Sequence, residues 1–276
     1  MRIQIVDAFT TRPFAGNPAG VCLLPAGEWP DDLRLQRIAA EVNHAETAFA
    51  LPLPAGDEAD WEIRWFTPLV EARLCGHATL ATVHAMRGQG LLTGPVRFRS
   101  RFSGMLAARA EEDGSITLDF PAAPATDVPV PQGLAEALGA RPEAALRTGA
   151  LGDLLTLLPD EAAVRAVRPD LAALAELTRR EGLRGVIVTA AAPSADLEYD
   201  FVSRFFAPAN GIPEDPVTGS AHTALAPYWS ARLGRRGTLT GLQASARTGL
   251  VRATPDGDRV RLAGHAVTVL EGILNV

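Results

Sequence analysis

RWFTPLVEARLCGHATLATVHAM, Arg64–Met86, passes from a short apolar strand through a Phe-Thr-Pro turn and an acidic loop to a glycine, small residues and an apolar helix. The same order returns in RFFAPANGIPEDPVTGSAHTALAPYW, Arg204–Trp229. Phe206-Ala207-Pro208 answers Phe66-Thr67-Pro68 and Gly219 answers Gly76, with three more residues in the second loop. A Phe-x-Pro match alone is cheap, but shared order, spacing and small-residue helix starts point to internal duplication. A helix that is hydrophobic all round is a buried helix, so sheet should surround each copy. The expectation is two similar units facing each other across a cleft.

The flanking sequence fits this reading. Alternating or short apolar runs at Arg2–Phe9, Ala19–Leu24, Glu46–Leu53, Trp61–Phe66, Val96–Phe102, Leu106–Arg109 and Ile116–Phe120 predict strands. Asp31–Val42 predicts an amphipathic helix with acidic residues in its first turn and Asn43 as its stop. PAAPATDVPVPQG, Pro121–Gly133, has four prolines and no periodicity, and marks a crossing between units. Helical segments are expected at Gly133–Leu138, Glu161–Val167, Leu171–Glu181 and Ser220–Leu233, with strands at Leu154–Leu158, Gly185–Ala191, Glu198–Phe206 and from Thr238 to Val276. The division is a first unit over 1–120, completed by a last strand at about 267–276, a crossing at 121–133 and a second unit over 134–266.

Composition removes several functions. The chain has 276 residues, 47% of them hydrophobic and 21% charged, an ordinary soluble globular make-up. A net charge of −6 offers no electrostatic reason to bind nucleic acid or an anionic membrane. No apolar run reaches the roughly 18 residues that span a bilayer. MRIQIVDAF reads as a strand and not as a secretion signal, and two cysteines make no disulfide framework, so a cytoplasmic setting is expected. All 26 basic residues are arginine. Without lysine there is neither a Schiff-base pyridoxal phosphate site nor a P-loop.

Candidate chemistry collects near the two helix starts. Gly76-His77-Ala78-Thr79 and Thr218-Gly219-Ser220-Ala221 each offer unpaired backbone N–H groups, a hydroxyl and little bulk, which suits a carboxylate or oxyanion. Close packing of a buried helix would explain the same residues. Glu46, in NHAETAFA, sits among alanines, surroundings that raise a carboxyl pKa toward the range of a neutral-pH acid or base. A strand-end glutamate facing water is the plainer alternative. Asp215 could relay a proton or cap backbone donors of Thr218 and Gly219. His222 falls just past that cap, in a packing position.

Cys75, two residues before His77, raises the questions of a metal and of a nucleophile. Cys75-x-His77 supplies two ligands of the three or four that zinc takes, and His84 lies about 10 Å further along the helix, so no metal site is expected. A thiol at a helix N-terminus can be reactive. Two-thiol isomerases need a second cysteine across the cleft, and EDPVTGSAH contains none. Cys22, in GVCLLP, has the setting of a buried packer.

VDAFTTRPFAGNPAGV, NHAETAFA, WFTPLVEARLCGHATLA and EDPVTGSAH, in this order and spacing, resemble the PhzF-like family of phenazine biosynthesis isomerases over essentially the whole chain. The resemblance implies a diaminopimelate epimerase-like α+β fold: two pseudo-symmetric units, each a barrel-like, mostly antiparallel sheet around a central apolar helix, with the active site in the cleft between them. It implies a cofactor-independent isomerase acting on a small carboxylate-bearing metabolite, with Glu46 moving a proton between carbons. His77 and Asp215 look like its catalytic companions. Ser220, Asn17, Gly76 and Gly219 are similar to substrate-binding positions, and Cys75 becomes a bystander beside the base. A homodimer is also common in that family. A non-catalytic metabolite-binding protein on the same fold and a Cys75-dependent epimerase are the competing readings.

Overall fold

A computed structural model describes all residues from Met1 to Val276. The chain begins with strands β1 (Arg2–Ala8) and β2 (Asn17–Leu23), helix α1 (Asp32–Val42), then β3 (Glu46–Pro52), β4 (Trp61–Phe66) and the short β5 (Glu71–Ala72). Helix α2 (Gly76–Gly88) is followed by β6 (Val96–Ser100), β7 (Gly104–Ala110), β8 (Ile116–Pro121) and β9 (Thr126–Val128). After α3 (Leu134–Leu138) come β10 (Ala144–Arg147), β11 (Asp153–Leu157), α4 (Glu161–Ala166), α5 (Leu171–Glu181) and β12 (Gly185–Ala191). The last stretch holds β13 (Phe201–Ala207), β14 (Ile212–Asp215), α6 (Gly219–Leu233), β15 (Leu239–Gln243), β16 (Gly249–Asp256), β17 (Arg259–Gly264) and β18 (Ala266–Ile273). The fold is mixed α/β, rich in sheet, with few helices. Two compact units divide it: Met1–Asp119 with Ala263–Val276, and Phe120–Leu262.

In the first unit β1 lies antiparallel to both β18 and β2, β2 parallel to β3, and β3 antiparallel to β4. The sheet continues through β6, parallel to β4, to β7 and β8. Helix α2 packs on β1, β2, β3, β7 and β18, and nine of its side chains from His77 to Met86 are buried. This is the burial that an all-apolar helix requires. Helix α1 covers another face, where Leu35, Ile38 and Ala39 pack with Cys22, Phe49 and Phe66. Asp31 caps it by accepting from the Leu33 and Arg34 N–H groups, and Asn43 ends it in the left-handed region.

In the second unit β11 runs parallel to β12, β12 antiparallel to β13, and β13 parallel to β15. Residues from α3, α4 and α5 share one core cluster with β11, β12 and β13, while α6 shares a different one with β10, β11, β12 and β13. The Pro-rich segment differs from expectation. Its prolines flank Thr126–Val128 and leave a three-residue strand free to pair with β10.

An arginine–glutamate fork recurs. Arg64 on β4 donates from Nε and Nη2 to Glu71, both at 2.8 Å, and stacks over Phe66. Arg204 on β13 donates from the same atoms to Glu214 at 2.7 and 3.0 Å, and stacks over Phe206. Both arginines are more than nine-tenths buried. No helix is long and apolar enough to cross a membrane.

Candidate active site

Three chemically active side chains of the first unit meet at the start of α2. Glu46 opens β3, and its Oε2 lies 3.5 Å from Nε2 of His77, the second residue of the helix. Both side chains are largely withdrawn from solvent, at 14% and 6% exposure. Burial drives the His77 imidazole down to about 3, so the ring is neutral at ordinary pH. Its other nitrogen, Nδ1, lies 3.2 Å from Nδ2 of Asn17 and 3.4 Å from Sγ of Cys75. Asn17, at the start of β2, is fully buried.

Cys75 therefore lies against the imidazole. It is the N-cap residue of α2 in extended geometry, and its carbonyl accepts from both the N–H and the hydroxyl of Thr79. Glu46, Cys75 and His77 place one ligand-type atom each within 4.8 Å of one another. The strand fold-back brings in this third group, which the Cys75-x-His77 spacing does not contain. The shortest contacts use different ring nitrogens, Nε2 toward Glu46 and Nδ1 toward Cys75. His84 is elsewhere, with Nε2 3.1 Å from the hydroxyl of Thr268.

The second unit builds its own helix start. Thr218, the extended N-cap of α6, donates its hydroxyl to Asp215 at 2.5 Å. Its carbonyl lies 2.9 Å from Nδ1 of His222, which is fully buried and held down to about 4 by that burial. His222 thus packs and braces the cap, as Thr79 does in α2. Gln243, fully buried on β15, accepts from the Thr218 N–H and donates to the Asp215 carbonyl, fixing the loop from behind. Ser220, second in α6, accepts from Nη1 of Arg184 at 3.0 Å. Nothing local in the sequence marks Gln243 or Arg184, because each acts across strands distant along the chain.

Glu46, His77, Asn17 and Gly76 thus fall in one cluster of the first unit, and Asp215, Gly219 and Ser220 in one cluster of the second. A surface cavity of about 450 Å³ lies in the first unit, lined by Trp29, Asp32, Glu62, Arg64, Arg99 and Arg101. Its guanidiniums are matched by the carboxylates of Asp32, Glu62, Glu71 and Asp57, and its lining includes neither Glu46, His77 and Asn17 nor Asp215 and Ser220.

Known proteins share this architecture. A hydroxyproline epimerase from Agrobacterium vitis, 14% identical, superposes with a TM-score of 0.61 over 99% of this chain and 91% of its own, which shows an epimerase-like fold. A PhzF-family protein from Enterococcus faecalis is 38% identical, with a TM-score of 0.88 over 98% of this chain and 97% of its own. A Pseudomonas aeruginosa protein described as an uncharacterized isomerase is 49% identical over 97% of this chain and 95% of its own. The family model described as phenazine biosynthesis-like protein matches residues 6–272. The chain belongs to this PhzC/PhzF family.

Proposed function

We propose that this protein is a cofactor-independent isomerase that moves a proton between carbons of a small carboxylate-bearing metabolite, with Glu46 as the acid/base. The observation that carries this is the Glu46 carboxylate held 3.5 Å from the buried, neutral His77 at the start of α2. Glu46 takes a proton from an activated carbon and returns it to another. His77 holds a polar substituent of the substrate by a hydrogen bond, and Asp215 acts with it. The first-turn N–H groups at Gly76 and Gly219 stabilise negative charge that develops as the proton leaves, an effect worth several kcal/mol in preorganised sites, about 3–4 per donor. The recurring Arg64–Glu71 and Arg204–Glu214 forks support duplicated, pseudo-symmetric units.

The test is untargeted. Wild-type protein and Glu46→Gln are incubated with a metabolite extract in deuterated water, and carboxylates that gain deuterium are found by mass spectrometry. Label that appears with wild type and not with Glu46→Gln is the expected result; equal labelling removes Glu46 from the role.

The thiol supports a second reading. Cys75 Sγ, 3.4 Å from His77 Nδ1, could itself exchange a proton in an epimerase with one thiol and one carboxylate base. Cys75→Ala retains labelling on the Glu46 reading and loses it on this one.

A further inference from the structure

Strands β3 and β12 hold matching places in their units. Each runs parallel to the strand before it in the sheet and antiparallel to the strand that carries the forked arginine. Phe49 pairs with Arg64, and Val188 pairs with Arg204. Counting back three residues from each sets Glu46 against Gly185. In the parallel pairs Ala19 lies opposite Glu46 and Asp153 opposite Gly185.

So the second unit has a glycine where the first has its carboxylate. No side chain fits there: a Cβ on Gly185 would lie 2.5 Å from Cζ of Phe205 and 2.9 Å from the carbonyl of Phe206. The preceding residue reaches the helix start instead. Arg184 donates from Nη1 to Ser220 Oγ at 3.0 Å, and Ser220 holds the second position of α6 as His77 holds that of α2. A carboxylate addresses one helix start and a guanidinium the other.

The guanidinium is fixed in place. Asp153, with no exposure, accepts from Nε at 2.8 Å and from Nη2 at 2.5 Å, and the Phe205 ring lies 5.2 Å from Cζ. A carboxylate is costly to bury unless it is paired, and here the pairing fixes the plane of Arg184 while Nη1 stays on the Ser220 side. The side chain keeps 37% exposure, so a ligand can reach it. Because Ser220 Oγ accepts from Arg184, the hydroxyl proton is left to donate to another acceptor.

We propose that Arg184 binds the carboxylate of the substrate, together with the Ser220 hydroxyl and the first-turn N–H groups of α6. This rests on the reading of Glu46 as the acid/base of a carboxylate-directed isomerase, and assigns the anion to the second unit's copy of that position. Arg184 would thereby select anionic over neutral substrates.

The probe is acetate, with acetamide as its neutral twin, titrated at constant ionic strength while the Gly219 and Ser220 amide resonances are followed. Wild type should show a saturable shift with acetate and none with acetamide. Arg184→Gln should weaken acetate roughly tenfold or more, and Ser220→Ala by less. If Arg184→Gln does not fold because Asp153 is stranded, Asp153→Asn with Arg184→Gln removes both charges and serves instead. Undiminished acetate affinity in these arginine variants, or no saturable shift in wild type, overturns the proposal. Glu46→Gln separates the two ideas: loss of acetate binding in the arginine variants beside wild-type deuterium labelling in Glu46→Gln sinks the acid/base reading alone. The reverse pattern sinks only Arg184.

Discussion

Nδ2 of Asn17 lies 3.2 Å from Nδ1 of His77. With its amide nitrogen on that side Asn17 donates to Nδ1, and the expected neutral tautomer carries its proton on Nε2, the nitrogen beside Glu46. On this expectation Asn17 selects the tautomer that presents a donor where the proposed chemistry occurs. Asn17→Ala is expected to mix the tautomers and to slow deuterium labelling roughly tenfold or more. Nitrogen-15 shifts of the His77 ring report the tautomer directly. A ring still protonated on Nε2 and an unchanged labelling rate would strip Asn17 of this role.

Gly16 makes a related prediction. Its φ is +66°, and a Cβ there would sit 2.1 Å from the Ala8 carbonyl oxygen, so no other residue keeps this backbone path into Asn17. Gly16→Ala should move Asn17 off His77 and reproduce the labelling loss of Asn17→Ala, together with a lower melting temperature. A variant that melts and labels like wild type would show that the turn has slack the geometry denies.

The buried forks should govern stability. Arg204 donates to Glu214 and also to the carbonyls of Val164 and Val167, so removing the acid strands a desolvated guanidinium. Glu214→Gln is expected to cost about 3 kcal/mol, while Arg204→Met with Glu214→Leu recovers most of it. Urea unfolding of the three proteins measures both. A loss below about 1 kcal/mol for Glu214→Gln would mean that water relieves the charge.

A repeated order is legible along the chain: Phe-x-Pro, acidic loop, glycine, apolar helix. Helix ends were legible too, since Asp31 and Asn43 act on backbone within a few residues. What the sequence hid is what strands bring together from afar. Asp153 and Arg184 meet across a parallel pair with α4 and α5 between them in the chain. Gln243 reaches Asp215 and Thr218 across a helix and a strand. Strand Ala144–Arg147 was missed because four residues of mixed polarity have no clear period, and tertiary pairing settles them. Cys75 was set aside on sequence grounds for want of a second thiol. Its place on His77 Nδ1 depends on how the helix start turns, which spacing does not encode.

Acid should destabilise the protein through its buried imidazoles, His77 and His222 above all. His77 and His222 are held down by burial to about 3 and about 4, whereas an unfolded imidazole titrates near 6.5. As pH falls below that unfolded value, the unfolded chain binds protons that the folded chain does not. The stability associated with each ring is therefore complete above about pH 6.5 and is lost as pH falls toward its folded-state value. At about pH 5 each ring accounts for a loss of about 2 kcal/mol. His222→Asn keeps a side-chain N–H able to reach the Thr218 carbonyl but cannot titrate in this range, so it should remove one of the two shares. Urea unfolding at about pH 7.5 and about pH 5 is then expected to show a drop about 2 kcal/mol smaller for the variant than for wild type. Equal drops in the two proteins would mean that His222 already exchanges its proton with solvent in the folded chain, which its complete burial contradicts.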